Sequence, residues 1–297
     1  MLFVMFVVVS ITFFLIRLAP GGPFDSERKL PAEIERALLK KYKLDGPLWE
    51  QYLYYLRDVV RGDLRLSTKY RNRSVNELLA QTLPLTMGLG LTAFLLVVTG
   101  GVTLGVISAW KYGGLMDALA MFFALLAISL PSFVLGPILI LVFSFWLGWL
   151  PVGGWGELQH LVLPAITLAL PYMAYVARLT RAGMLDALEM EFVRTGRAKG
   201  LSDAVIVWKH AMRVGLLPVV SYLGPLAAHL LTGSIVVETL FNIPGAGGFF
   251  VYSVLNRDGF LLGGVVIVYC GLLVVFNALV DLILRILDPR ISSDERI

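Results

Sequence analysis

Long apolar runs alternate with shorter polar ones along this chain. Six runs approach or exceed the roughly 20 residues a helix needs to cross hydrocarbon. They are residues 1–18 with Arg17 at the end, 87–110, 118–150 and 161–177 with no charge, 214–237 with only His229, and 263–284 with only Asp281. The runs are apolar on every face, unlike the alternating strands of a membrane barrel. The 118–150 run is long enough for one span or two. A split at Pro131 leaves a first half too short to cross, so the pattern predicts one long helix, bent near Pro131 and Pro137. That helix leads into Trp146, Trp149 and Pro151, residues that suit a membrane–water interface.

The polar segment after the first run has its own periodicity. Ile34, Ala37, Leu38 and Tyr42 recur at helical spacing, Asp45-Gly46 interrupts, and Trp49, Tyr52, Leu53, Leu56 and Val60 resume it. Ser74-Val75-Asn76-Glu77 has the form of a capping box that would open the helix feeding the second span. The segment is therefore expected to be a small aromatic-rich helical cap. Packing on the membrane helices and docking of an external partner both remain open roles for it.

Composition fits a polytopic helical membrane protein. Of 297 residues, 58% are hydrophobic and 15% charged, against about 25% charged in soluble domains. Mean hydropathy is +0.79. A chain this apolar is not an ordinary soluble enzyme, a disordered chain or a secreted disulfide scaffold. One cysteine, Cys270, leaves the redox compartment unread. The charge lies in loops and forms no basic face for nucleic acid. Residues 178–213 carry seven Lys/Arg against four Asp/Glu, which by the positive-inside rule makes that loop cytoplasmic. Six spans then place both termini in the cytoplasm and residues 19–83 outside. The outer segment is basic too, but long loops cross largely regardless of charge. The first run lacks a preceding basic stretch and a small-residue cleavage site, which argues against a signal peptide and for a true start further upstream.

Several kinds of chemistry find no sequence signal. There is no G-x-x-x-x-G-K-[ST], no H-E-x-x-H and no G-x-S-x-G. His160, His210 and His229 have no metal-ligand spacing. No catalytic residue and no cofactor or metal of this chain's own is expected.

The distinctive passage is residues 191–203, E-F-V-R-T-G-R-A-K-G-L-S-D, followed by K-H-A at 209–211 and L-L-P at 216–218. It reads as a short polar helix, a glycine able to take positive φ, a second helix with Ser202 as its candidate cap, and a proline opening the next span. The passage resembles the EAA motif of permease subunits of binding-protein-dependent ABC importers. R-T-G-R-A-K-G-L with K-H-A-x-R-x-x-L-L-P is similar to the peptide and nickel branch. The Glu-Ala-Ala positions read Arg194-Thr195-Gly196, and the gap from Gly200 to Leu217-Pro218 exceeds the general motif's, both as in that branch. Further matches are R-L-A-P-G at 17–21, S-L-P-S-F-V at 129–134, L-G-W-L-P at 147–151, V-E-T-L-F-N-I-P-G at 237–245, L-N-R-D at 255–258 and F-N-A-L-V-D at 276–281. The long segment after the first span, with L-P-x-E at 30–33 and K-Y-x-L-D-x-P at 41–47, is most similar to the first permease subunit of oligopeptide importers.

The resemblance implies an all-α type I ABC importer permease fold. Its parts would be a first transmembrane helix at 1–18, an extracytoplasmic segment at 19–83, a permease core at 84–287 with a coupling loop at 178–213, and a cytoplasmic tail at 288–297. It implies a multi-pass protein of the cell inner membrane. Its partners would be a second permease subunit, two ATPase subunits, an extracytoplasmic peptide-binding protein and membrane lipid. ATP and Mg would belong to the ATPase subunits. The family role places ATPase contact on Arg194, Arg197, Lys199, Gly200 and Asp203. A dipeptide, nickel or other small-solute permease is the same-class alternative. A secondary transporter is the different-class one, and would have no use for the coupling loop.

Ionisable groups inside spans are functional suspects. Asn277 and Asp281 share a face of the last run, with Arg285 one turn on. Asp281 could pair locally with Arg285, or gate the path through Arg178 or Arg181. His229 is read as a satisfied interhelical residue rather than a proton relay. Gly101 and Gly105 have the spacing of a close helix contact. Pro131 with Ser132, and Pro164 with Pro171, free backbone carbonyls that could line a path, although bends are the favoured reading. The G-A-G-G at 245–248 reads as an outer re-entrant turn.

Overall fold

The computed structural model describes residues 2–18, 32–70 and 72–287. The R-L-A-P-G motif beyond Leu18, the start of L-P-x-E, the 288–297 tail and the Arg285 side chain lie outside the described residues. The described chain is helical, and the single strand-like pairing in it is an antiparallel bridge between Leu66 and Ser74. In order the helices are α1 (Leu2–Leu18), α2 (Ala32–Lys41), α3 (Leu48–Val60), α4 (Val75–Trp110), α5 (Leu115–Ser129), α6 (Ser132–Trp146), α7 (Gln159–Leu188), α8 (Glu191–Ala198), α9 (Asp203–Gly215), α10 (Leu217–Leu231), α11 (Ile235–Leu240), α12 (Gly247–Leu255) and α13 (Gly259–Leu287).

Among the described residues three helices are long and apolar enough to cross a membrane, within α4, α7 and α13. Two bent pairs, α5 with α6 and α9 with α10, would raise that to five. The 17-residue α1 sits at the short end of the spanning range.

Two expectations need correction. The long third run is not one bent helix. It breaks between Ser129 and Ser132 by 111°. Leu130, as the residue before a proline, takes an extended conformation, φ −93° and ψ 119°, which ends α5. Pro131 then heads α6, which widens to a π-helix over Ile140–Trp146 just past Pro137. The fourth run does not stop at Ala177. α7 continues to Leu188, so Arg178 and Arg181 belong to a rigid helix and the polar loop starts only after it.

The chain divides into two compact units, Met1–Leu85 with Gly245–Val274, and Thr86–Pro244 with Val275–Ile297. In the first, the capping box forms as read: Glu77 N–H donates to Ser74 Oγ at 3.1 Å and Ser74 N–H donates to Glu77 Oε2 at 3.2 Å. α3 packs Tyr55, Tyr52 and Leu56 on Val9 and Phe13 of α1. Leu44 joins Val75, Leu78, Phe260 and Leu261, and Tyr42 stacks on Phe260 at 5.5 Å. Among the described residues, α2, α3 and the turn between them are thus packed on apolar helices. Asp258, 1% exposed, ties the turn after α3 to the start of α13 by accepting from the Ser67 hydroxyl.

In the second unit, α7 is central. Leu163, Leu168, Ala169 and Val176 pack with Leu89, Ala93 and Val97 of α4, Leu226 and Leu230 of α10, and Val237 and Phe241. Gly101 and Gly105 sit where α4 meets α7 backbone to backbone. A Cβ at Gly105 would lie 2.5 Å from the Ala177 carbonyl oxygen, and one at Gly101 would lie 2.9 Å from that of Met173. The Gly-xxx-Gly spacing therefore marks a real close approach.

Candidate functional site

α8 and α9 form a helical hairpin at one end of α4 and α7. α8 buries Val193 and Gly196 and exposes Glu191, Arg194 and Arg197. Its buried face meets α9, because a Cβ on Gly196 would touch Ile206 at 3.4 Å. Gly200 makes the reversal with φ +77°, a left-handed conformation that costs an L side chain energy but not glycine. Ser202 occupies the cap position before α9, in extended backbone, but its side chain makes no capping bond there. The position was legible and the bond was not.

α9 seats the hairpin. Val207 and Ala211 pack with Val106 and Ala109 of α4 and with Met184 and Ala187 of α7. α7 and α9 also touch through backbone: a Cβ on Gly183 would lie 2.3 Å from the Gly215 carbonyl oxygen. Beyond Gly215 the chain turns by 57° into α10, with Pro218 in its first turn. α8 and α9 are therefore joined to α4 and α7 through close-packed contacts, and close-packed interiors are stiff.

Of the five expected contact residues, Arg194, Lys199 and Gly200 are exposed. Arg197 and Asp203 face each other, Arg197 Nε donating to Asp203 Oδ1 at 3.1 Å, with both side chains 60% exposed. Such an exposed pair is worth about 0–1 kcal/mol. It aligns the two helices without locking them. This surface also has an apolar part beside the charged residues. Leu201, Val205 and Trp208 are 39%, 39% and 43% exposed, and their i, i+4, i+7 spacing was a signal available in the sequence.

The expected gate residues do not converge. Asn277 of α13 lies against α10, its Oδ1 2.8 Å from where a Cβ on Gly224 would be. Asp281, one turn on, is exposed, as is Arg178 on α7. Among the described residues the ion pairs are Arg65–Asp58, Arg181–Asp117 and Arg197–Asp203. Arg181 is held by Asp117 and is not available to Asp281. Pro131 is exposed at the break before α6, where its carbonyl accepts from Val134 and Leu135 N–H at 2.9 and 3.0 Å, and Ser132 begins the helix. Pro131 therefore sets a bend.

Asp117 was outside the sequence reading. It is 5% exposed and accepts from Arg181 at 2.7 and 2.9 Å, from Ser108, and from Gly113 N–H at 3.0 Å. The guanidinium also lies over the Tyr112 ring at 5.1 Å. This cluster clamps the α4–α5 turn onto α7. Glu238, 3% exposed in α11, accepts from the Thr86 hydroxyl at 2.9 Å. His229 bonds Tyr172, Oη to Nε2, at 2.6 Å, as expected of an interhelical residue. Among the described residues no three His, Cys, Asp or Glu side chains gather as a metal site.

The chain is similar to known proteins. The family model for "Binding-protein-dependent transport system inner membrane component" matches residues 101–293. The oligopeptide transport system permease protein OppB of Haemophilus influenzae is 43% identical over 97% of this chain and 94% of its own. That of Salmonella typhimurium is 44% identical over the same shares. The dipeptide transport system permease protein DppB of Bacillus subtilis is 41% identical over 98% of this chain and 94% of its own. Among solved structures, the inward-facing MetNI methionine ABC transporter has a chain similar in fold, with a TM-score of 0.57 and 17% identity over 71% of this chain and 96% of that one. The chain belongs to the family of binding-protein-dependent transport system inner membrane components.

Proposed function

We propose that the chain is one of two permease subunits of an ABC importer and forms half of a path for oligopeptides through the inner membrane. The observation that carries this reading is the near full-length likeness to oligopeptide permeases. The helical hairpin seated on α4 and α7 supports it. In this reading six spans cross the membrane, namely α1, α4, the α5–α6 pair, α7, α10 and α13. Residues 19–83 are extracytoplasmic, residues 84–287 are the permease core, the 288–297 tail is cytoplasmic, and both termini lie inside.

The subunit is not itself a catalyst. A binding protein delivers the peptide, and two ATPase subunits, which hold ATP and Mg, close on each other below the membrane. The hairpin within 178–213 sits in a groove of one ATPase. Arg194, Arg197, Lys199 and Asp203 supply the charged rim, Gly200 the turn, and Leu201, Val205 and Trp208 the apolar centre. That division matches the usual anatomy of a docking surface. ATPase closure pushes the hairpin, and the Gly183–Gly215 joint carries the push into α7 and α10, favouring the outward-facing state. A dipeptide as the solute is the second reading, favoured by the likeness to the Bacillus subtilis permease.

The test is purification of the tagged chain from its native membrane in mild detergent, with identification of the proteins that come with it. The reading expects a second permease and P-loop ATPases in stoichiometric amounts. A chain that comes down alone and moves solute into liposomes without ATP overturns it.

A further inference from the structure

Most exposed side chains on the long helices are lipid-compatible, such as Leu91, Leu95 and Leu104 on α4 and Phe122, Phe123 and Leu126 on α5. One face differs. On α7, Tyr172 and the 47% exposed Tyr175 stand one turn apart, and on α10 the exposed stripe is Ser221, Pro225 and His229, flanked by Tyr222. The two stripes are contiguous: Tyr172 bonds His229 at 2.6 Å, and the Tyr175 and Tyr222 rings lie 4.8 Å apart. Pro225 has no N–H, so it cannot donate to the Ser221 carbonyl on the same stripe.

The face suits neither of the two ordinary surroundings of a spanning helix. The Ser221 hydroxyl donates back to the Leu217 carbonyl at 3.1 Å, and Tyr172 and His229 satisfy each other, so the groups left costly against acyl chains are the Tyr175 hydroxyl and the Ser221 carbonyl that lacks its helical donor. Tight packing on another helix favours small residues, as at Gly101 and Gly105, whereas this face carries bulky rings and a proline. Its groups are neutral donors and acceptors combined with ring surface. They match an uncharged polar chain that passes with its own N–H and C=O groups partly hydrated. We infer that this α7–α10 face lines the water-filled path and contacts the main chain of the transported peptide, with Tyr172, Tyr175, Ser221 and His229 as the contacting groups. Main-chain contact of this kind is indifferent to side-chain sequence.

The inference rests on the permease reading above, and the test separates the two. In the assembled complex, Cys270→Ser removes the native thiol, and Ser221→Cys, Tyr175→Cys or Leu95→Cys adds one. A membrane-impermeant maleimide is applied with and without binding protein loaded with an oligopeptide. Cysteines at 221 and 175 are expected to label many-fold faster than at 95, and to lose labelling during peptide turnover. Cysteines at 221 and 175 that stay as unreactive as that at 95, or that crosslink efficiently to the second permease chain, overturn the face while peptide uptake by the parent complex keeps the permease reading. A parent complex that takes up no peptide, in which the two cysteines still label, overturns the peptide as occupant and the permease reading together. Tyr172→Phe provides a readout without cysteine: it should raise KM for peptide uptake with kcat and membrane level little changed, and an unchanged KM contradicts the contact.

Discussion

Arg181 of α7 grips Asp117 of α5 at two points, Nε to Oδ1 at 2.7 Å and Nη2 to Oδ2 at 2.9 Å. The fork geometry is specific to arginine. With Ser108 and Gly113 also donating to Asp117, the carboxylate joins α4, α5 and α7 at one point. Removing one partner of a fully buried pair costs about 3–5 kcal/mol. Arg181 keeps 24% of its side chain exposed, which puts this pair toward the lower end. Asp117→Ala and Arg181→Lys should each lower the thermal unfolding midpoint of the detergent-solubilised assembly, the first more than the second. An unchanged midpoint for Asp117→Ala would show that the clamp does not stabilise the fold.

Gly200 separates backbone strain from crowding. Its φ is +77°, and a Cβ there would meet nothing within 4 Å. Only conformation disfavours a side chain, at roughly 1–2 kcal/mol, and asparagine tolerates that region. Gly200→Asn should transport near normally, whereas Gly200→Val should lose transport at normal membrane levels. Equal uptake by the two variants would remove the requirement for a left-handed turn between α8 and α9.

Gly183 and Gly215 make the opposite case, because there the space is full. A Cβ on Gly183 would stand 2.3 Å from a carbonyl oxygen, so α7 and α9 must separate to admit it. Overpacking typically costs about 1–3 kcal/mol. Gly183→Val should leave ATP hydrolysis by the assembled complex running while uptake fails, which is uncoupling. Hydrolysis and uptake that fall in parallel would place the lever elsewhere.

The Arg197–Asp203 pair is exposed on both sides. Arg197→Ala should therefore shift stability by less than about 1 kcal/mol. Arg197→Glu should nonetheless weaken retention of the ATPase subunits on washing. Full retention would exclude Arg197 from that contact.

Tyr55 gives a pH dependence. Burial against α1 pushes its phenol up to about 12, the Arg65 charge offsetting part of the rise. Its hydroxyl has no hydrogen-bond partner among the described residues. The folded state keeps the proton to higher pH than the unfolded chain, whose tyrosine ionises near 10. Stability from this group is thus fully present below pH about 10 and lost as pH rises toward 12. Tyr55→Phe should fold at least as well at neutral pH, since it removes an unsatisfied buried hydroxyl. It should also lose stability less steeply between pH 10 and 12, as read by unfolding midpoints. Parallel curves for the two proteins would contradict the burial effect.

Local features were legible in the sequence and long-range ones were not. The Ser74–Glu77 capping box, the turn at Gly200 and the start of α10 at Pro218 each depend on residues within a few positions of one another, and all appear as read. The Gly101–Gly105 spacing located a close approach without naming α7 as its partner. Asp117 and Arg181 are 64 positions apart, so hydropathy left one at the edge of a span and the other in a presumed loop. Glu238 fell one residue beyond an apolar run and was read as part of a motif, although it is buried against Thr86. The 111° break at Pro131 exceeded the expected bend because the residue before a proline leaves the helix altogether, a local rule that the length of the apolar run obscured.

The most direct measurement is uptake of a labelled oligopeptide into liposomes that hold this chain with its co-purifying partners. Accumulation should require both internal ATP and external binding protein, and should vanish in Gly200→Val liposomes that still hydrolyse ATP. Accumulation without ATP, or by this chain alone, would contradict its role as a coupled importer subunit.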